Sequence, residues 1–189
     1  MTMTTLLRTK TREKDALTAL GERFGIHNPF ATPRLVKVVV STGVGSIKDK
    51  KKLEVIENRL MRLTGQKPSR RPSRLSIASF KVREGDTAGY QVTLRGGRMY
   101  DFLEKVIHVA LPRTRDFRGI SPRAVDDMGN LTIGIREHTI FPETSDEDIK
   151  DIFGLSVSVV TTAKNREVAE AFFRHLGIPF TPEKGEGKG

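Results

Sequence analysis

The 189-residue chain is 37% hydrophobic and 30% charged, enough apolar material for one modest core with long charged excursions. It has no cysteine, which excludes disulfides, thiolate chemistry and cysteine-ligated zinc. No run of about 18 apolar residues exists, so no membrane-spanning helix is expected. The net charge of +10 and the pI of about 10.1 carry the electrostatic footprint of a nucleic-acid binder.

The charge is unevenly placed. Residues 1–83 hold 19 Lys/Arg against 6 Asp/Glu, a surplus of +13, whereas residues 125–189 hold 7 against 12, a balance of −5. The basic part is expected to face phosphate, and the acidic part to face solvent or a basic partner. The opening MTMTTLLRTKTREKD lacks the apolar core and small-residue cleavage site of a secretory signal, so a cytoplasmic location is expected.

In chain order, residues 5–24 are predicted as a first helix with Leu6, Leu7, Ala16, Leu17, Leu20 and Phe24 as its apolar positions. The two prolines of HNPFATPR make 27–34 a linker. RLVKVVVS (34–41) is β-branched and bounded by turn residues, hence a strand, and TGVGS (42–46) turns the chain. Leu53, Ile56, Leu60 and Leu63 keep helical spacing up to Gly65, a C′ glycine.

Residues 64–86 then read as a basic loop punctuated by Pro68 and Pro72, whose apolar Leu75, Ile77, Ala78 and Phe80 are too few to make a core. A second strand spans 90–96, and 97–112 is the best helix. Its Met99, Phe102, Leu103, Val106, Ile107 and Ala110 form one face, and Pro112 is expected to end it. Alternation predicts strands at 131–137 and 154–163. Asn165 is expected to cap a last helix that buries Ala169, Phe172, Phe173 and Leu176 and stops at Gly177.

These elements predict an α+β fold: a mostly antiparallel sheet with helices packed on one side and an extended basic loop. The other sheet face is then free, as in several RNA-binding modules. One RNA-binding domain over 1–180 and a disordered polar tail at 181–189 are expected.

Enzyme chemistry finds little support. His27, His108, His138 and His175 are scattered, without metal-ligand spacing, and no cofactor is expected. TGVGSIK (42–48) lacks the spacing of a nucleotide-binding phosphate loop and reads as a glycine turn before a helix. KDKKK (48–52) opposes the dipole of that helix, which a nearby polyanion offsets; solvated lysines account for it equally well. Thr93, Arg95 and Arg98 in TLRGGRMY mark a strand end and a helix start, with arginine forks suited to phosphate or base edges. Arg113, Arg115, Arg118 and Arg123 surround Phe117, which fits RNA or a protein interface. FPETSDEDIKD (141–151) is a solvated acidic loop or a dock for a basic protein.

Longer stretches carry a resemblance. TGQKP, SIASFKVREGD, VTLRGGRMYDFLEKVIHVALPRTRDFRGIS, GNLTIGIREHTIFPE and VSVVTTAKNREVAEAFFRHLGIPF closely resemble the universal L-five family of large-subunit ribosomal proteins, from about residue 10 to 180. The chain departs from the usual family wording at STGVGS (41–46), LRGGRMY (94–100) and VDDMGNL (125–131). Membership implies binding to 5S rRNA and its attachment to 23S rRNA in the central protuberance, beside neighbouring proteins there. It further implies contact with P-site tRNA and a bridge to a basic protein of the small-subunit head.

By family match, Arg34, Ser41, Gln66, Thr93, Arg95, Gly96 and Arg98 fall at the 5S rRNA surface. Arg70, Arg71, Arg74, Ser76, Phe80, Lys81 and Arg83 form the tRNA-contacting loop, and Arg113, Arg115, Arg118, Glu143, Asp146 and Asp148 face the bridge. The rival reading is a free-standing regulatory RNA-binding protein, which would not co-sediment with large subunits; an enzyme with no visible site is more remote.

Overall fold

The computed structural model describes residues 8–47, 49–80, 82–144 and 152–181. Leu6, Leu7, Lys48, Lys81, Asp146, Asp148 and the 182–189 part of the tail lie outside the described residues. The main elements are α1 (Arg8–Phe24), β1 (Leu35–Gly43), α2 (Lys50–Thr64), β2 (Ser69–Pro72), β3 (Thr87–Leu94), α3 (Gly97–Lys105), α4 (Leu111–Arg113), β4 (Leu131–Ile135), β5 (Leu155–Thr161) and α5 (Arg166–Leu176). The fold is α+β, and the five strands follow the order β2-β3-β1-β5-β4.

β3 pairs antiparallel with both β1 and β2. β1 and β5 are antiparallel as well. Arg34 and Thr162 exchange bonds at one end of the pair, while Ser41 and Thr42 meet Ser156 and Gly154 at the other. β2 is a finding against expectation, because the 64–86 stretch is not loop throughout. Residues Ser69–Pro72 are too short and too fully exposed to show strand alternation, yet their backbone pairs with Thr87–Gln91. Pro72 ends this edge strand, where a residue without an N–H is tolerated.

Backbone contacts divide the chain into two compact units. The first comprises 1–37, 95–133 and 158–189. Its core holds Ala16, Leu20, Phe102, Leu103, Phe172, Phe173 and Leu176, all buried. The apolar face expected of 97–112 is buried at every position, from Met99 to Ala110. That helix is not uniform, however. A π turn at Val106–Ala110 separates α3 from α4, and the Leu111 N–H donates to the Val106 carbonyl. Pro112 therefore sits inside the helical run instead of ending it. A proline has no N–H and its ring clashes with the carbonyl four residues back in a regular α ladder; the wider π turn falls just before it.

In α5, Asn165 stands at the N-cap without a side-chain bond, contrary to expectation, while Gly177 closes the helix in the left-handed region. α1 lies against α5 and α3: Arg12 donates to the Leu176 carbonyl at 3.0 Å and Tyr100 to Glu13 at 2.6 Å. Burial first, and the Glu13 bond second, push the Tyr100 hydroxyl well above its ordinary pKa.

The second unit comprises 38–94 and 134–157, with Val38, Val40, Ile56, Leu60, Leu63, Val92, Leu94 and Phe141 in its core. Asp49 caps α2 by accepting from the Lys51 amide at 2.9 Å, and Gly65 ends it at φ 65°. This cap supplies an acceptor at the helix start, offsetting part of what three lysines in the first turn cost.

Candidate nucleic-acid interface

The strands of the second unit bury alternate side chains, so the intervening ones share an outward surface. Val38, Val40 and Thr42 of β1 point inward, leaving Val39 and Ser41 half-buried on the opposite side. β3 repeats the rule, with Tyr90, Val92 and Leu94 buried and Gln91 and Thr93 half-buried. Register then fixes neighbours: Val39 lies opposite Thr93, Ser41 opposite Gln91, and Ser69 of β2 opposite Gln91 on its other side. Directly opposed residues in a ladder project to the same face. The surface therefore carries Ser41, Gln91, Thr93 and Ser69.

Hydrogen bonds tie these side chains to their neighbours. Ser41 Oγ and Ser156 Oγ lie 2.9 Å apart. Gln66 Nε2 donates to the Thr93 carbonyl at 3.5 Å, and Arg71 Nε donates to Gln91 Oε1 at 2.7 Å. An open groove of about 460 Å³ lies beside this surface, lined among others by Ser41, Gly43, Gly134, Arg136, Gly154 and Ser156. Hydroxyls, amides and arginines without a carboxylate among them are donors for phosphate and sugar oxygens.

Three sequence-predicted residues, Ser41, Gln66 and Thr93, thus come together. Arg71, assigned by sequence to the loop, stands instead in β2 at the edge of the same surface. Arg70 is also in β2, opposite Tyr90, with its Nη2 donating to the Gly85 carbonyl at 3.2 Å. Gln91 and Ser156 were missed. Their signal was strand parity: Gln91 is two positions from Thr93, and Ser156 alternates with buried Leu155 and Val157.

The other residues predicted for 5S rRNA belong to the first unit. Gly96 is the N-cap of α3 at φ 60°, ψ −141°, a region in effect closed to residues with a side chain. Arg95 and Arg98 on either side of Gly96–Gly97 are exposed, and the first turn of α3 holds no acid. Two guanidinium groups and the positive end of a helix dipole thus face solvent together. The Arg34 backbone is held at both its N–H and its C=O by Thr162, and its guanidinium lies 5.8 Å from the Phe30 ring centroid.

The basic loop beyond β2 is folded but has no buried side chain between Ser69 and Phe80. Ser73 exchanges backbone bonds with Asp86 and Gly85, and Ile77 pairs with Val82 across a 3-10 turn at Ala78–Phe80. Ser76 Oγ accepts from the Glu84 amide, and Asp86 from the Arg83 amide. Leu75 and Phe80, 70% and 72% exposed, are offered to solvent with Arg74 and Arg83.

Of the residues predicted for a bridge, Arg113 ends α4, and Arg115 and Arg118 follow it, all three exposed. Asp116 between them takes a left-handed φ of 56°. Glu143 is exposed on a 3-10 turn that buried Thr144 anchors by donating to the His138 carbonyl at 2.8 Å.

Among the described residues the histidines stand apart and each has its own surroundings. His138 is buried and stacked on Phe153 at 4.2 Å, His108 pairs with Glu104 at 3.1 Å, and His175 contacts the Arg12 carbonyl. Among the described residues no cluster of three His, Cys, Asp or Glu is placed to hold a metal ion.

Comparison with known proteins gives a consistent result. Residues 28–83 match the family described as ribosomal protein L5, and residues 87–180 match the C-terminus of the same ribosomal family. The chain is similar to the large ribosomal subunit protein uL5 of Rubrobacter xylanophilus, at 52% identity over 87% of this chain and 92% of that protein. It is 48% identical to uL5 of Syntrophomonas wolfei over 90% of this chain and 97% of the relative. With uL5 of an Anaeromyxobacter species the identity is 46% over 89% and 94%.

Proposed function

The chain belongs to the ribosomal protein L5 family, structural components of the large ribosomal subunit rather than enzymes, and from that premise we propose that it binds 5S rRNA and holds it to 23S rRNA. Ser41, Gln66 and Thr93 meet 5S rRNA through the outward sheet surface, and Arg34, Arg95, Gly96 and Arg98 meet it from the first unit. Arg70 and Arg71 of β2, with the loop carrying Arg74, Ser76, Phe80, Lys81 and Arg83, touch P-site tRNA. Arg113, Arg115, Arg118, Glu143, Asp146 and Asp148 serve the bridge to a basic small-subunit head protein, beside other proteins of the central protuberance in the cytoplasmic ribosome.

The observation that carries this reading is the polar surface of Ser41, Gln91, Thr93 and Ser156, edged by Arg71, on a chain whose first 83 residues carry a surplus of +13. Phosphate contacts position a protein on RNA without reading sequence, while hydroxyls and amides reach sugar and base edges. Titration of purified protein with 5S rRNA tests it. Affinity is expected to fall with salt, and Thr93→Glu, which sets a carboxylate against phosphate, is expected to weaken it strongly. Absence of binding at 50 mM salt, or full affinity in Thr93→Glu, overturns the 5S assignment.

A further inference from the structure

Phe30 is the most exposed large apolar side chain among the described residues, at 86%. Single exposed apolar residues are common on protein surfaces, so exposure alone says little. Phe30, however, is presented by a fixed support. It sits in the 3-10 turn Pro29–Ala31, where Pro29 limits φ and Asn28 caps the turn. The Asn28 side chain accepts from the Phe30 N–H at 2.9 Å, and the Asn28 carbonyl accepts from the Ala31 N–H at 3.0 Å.

A cation is fixed beside the ring. The Arg34 N–H donates to Thr162 Oγ1 at 2.9 Å, and the Thr162 N–H donates back to the Arg34 carbonyl at 3.0 Å. The guanidinium reaches over the ring, and its Nη2 donates to the Pro29 carbonyl at 3.4 Å. That bond uses one of five donors of the fork, so others remain for an incoming oxyanion.

We infer that Phe30 and Arg34 form a clamp for one unpaired nucleobase of ribosomal RNA, with the base stacked on the exposed ring and its adjoining phosphate taken by the guanidinium. A rigid exposed aromatic next to an arginine is the arrangement that unstacked bases recognise, since every base offers a π-face and is linked to phosphate. The surplus of +13 over residues 1–83 favours this occupant over an acid-poor protein surface. The inference rests on the reading of the chain as an rRNA binder.

Because the chain has no tryptophan, Phe30→Trp introduces a single indole at this spot. The variant is titrated with transcribed 5S rRNA and, separately, with large-subunit particles stripped of this protein. Quenching of the indole with either RNA source is expected, and the two arms say which RNA supplies the base. Phe30→Leu, apolar but without a π-face, is expected to bind that source roughly 5- to 150-fold more weakly, while Phe30→Trp keeps wild-type affinity. With the side chain this exposed, neither substitution is expected to move the melting temperature. A blue shift without quenching would reveal a protein neighbour and overturn the clamp. So would unchanged affinity of Phe30→Leu for both sources while the wild type binds. Failure of the wild type to bind either source would instead remove the underlying reading.

Discussion

Thr93 and Phe80 are near one another in the chain but stand on different supports. Thr93 lies between Val92 and Leu94, both buried, in a strand paired on both sides. Phe80 closes a 3-10 turn in a loop held by backbone pairs, with no buried side chain between Ser69 and Phe80. Packing fixes the first surface, because a side chain there moves only with the core beneath it. The second keeps a conformation through hydrogen bonds that solvent can replace. On the proposed reading the contrast has a use. 5S rRNA is one permanent partner, whereas P-site tRNA comes and goes with every sequence.

The contrast breaks most readily at its base. Leu94→Ala removes a fully buried side chain and is expected to cost about 2–5 kcal/mol in urea denaturation, with 5S rRNA binding lost in proportion. Leu75→Ala in the loop is expected to stay within about 0.5 kcal/mol of wild type; equal losses in the two variants would erase the distinction. At the next level, Arg95→Ala is expected to weaken 5S rRNA binding by about 1–3 kcal/mol in a filter assay, if its fork grips a base, while stability is unchanged.

A smaller effect sharpens the loop side. Phe80→Ser is expected to leave the urea midpoint and 5S rRNA affinity alone. It should speed dissociation of P-site tRNA by about 1 kcal/mol, less than the full burial of such a side chain. An unchanged rate on reconstituted ribosomes would leave the loop without its proposed partner.

The smallest effect concerns a turn built from its own polar groups. Burial acts to raise the Asp126 carboxyl, but bonds from the Asn130 amide and side chain and from the Met128 amide outweigh it and hold the pKa below its ordinary value. A carboxyl depressed in the folded state adds stability above its unfolded pKa of about 4, and that contribution is lost as pH falls through the folded value. Solvent screening limits it to a few tenths of a kcal/mol. The deficit of Asp126→Ala against wild type should therefore shrink between pH 7 and pH 3 in parallel melts.

Much of this was readable from residue pattern. The face Met99–Ala110 emerged because six apolar side chains at helical spacing leave one way to bury them. Gly65 and Gly177 marked helix ends because the left-handed region favours glycine. β2 stayed hidden because all four of its residues are exposed, so periodicity has nothing to report; its pairing is a property of backbone and of β3. Pro112 suggested a stop because proline disrupts a regular ladder, and the π turn that admits it leaves no mark in composition. At the interface, motif matching singled out Ser41, Gln66 and Thr93, while register added Gln91, Ser156 and Arg71, since lateral neighbours in a sheet come from distant stretches of chain.

The anchors of α1 are spread along the chain in a way that bears on synthesis. Thr9 donates to buried Glu104, the Glu13 carboxylate takes the Tyr100 hydroxyl and the Leu35 amide, and Arg12 is bonded to Leu176 and His175. The sequence separations of the Glu104, Tyr100, Leu176 and His175 contacts are 95, 87, 164 and 163 residues. A nascent chain emerges from its N-terminus, at roughly 5–20 residues per second. α1 must therefore wait for α3 and α5, which are made later, before its seat exists. Until then α1 is an amphipathic helix with an unmatched face, and docking it closes a loop of 164 residues, a step whose entropy cost weighs on the rate. Synthesis of α5 and locking of α1 are thus coupled in time.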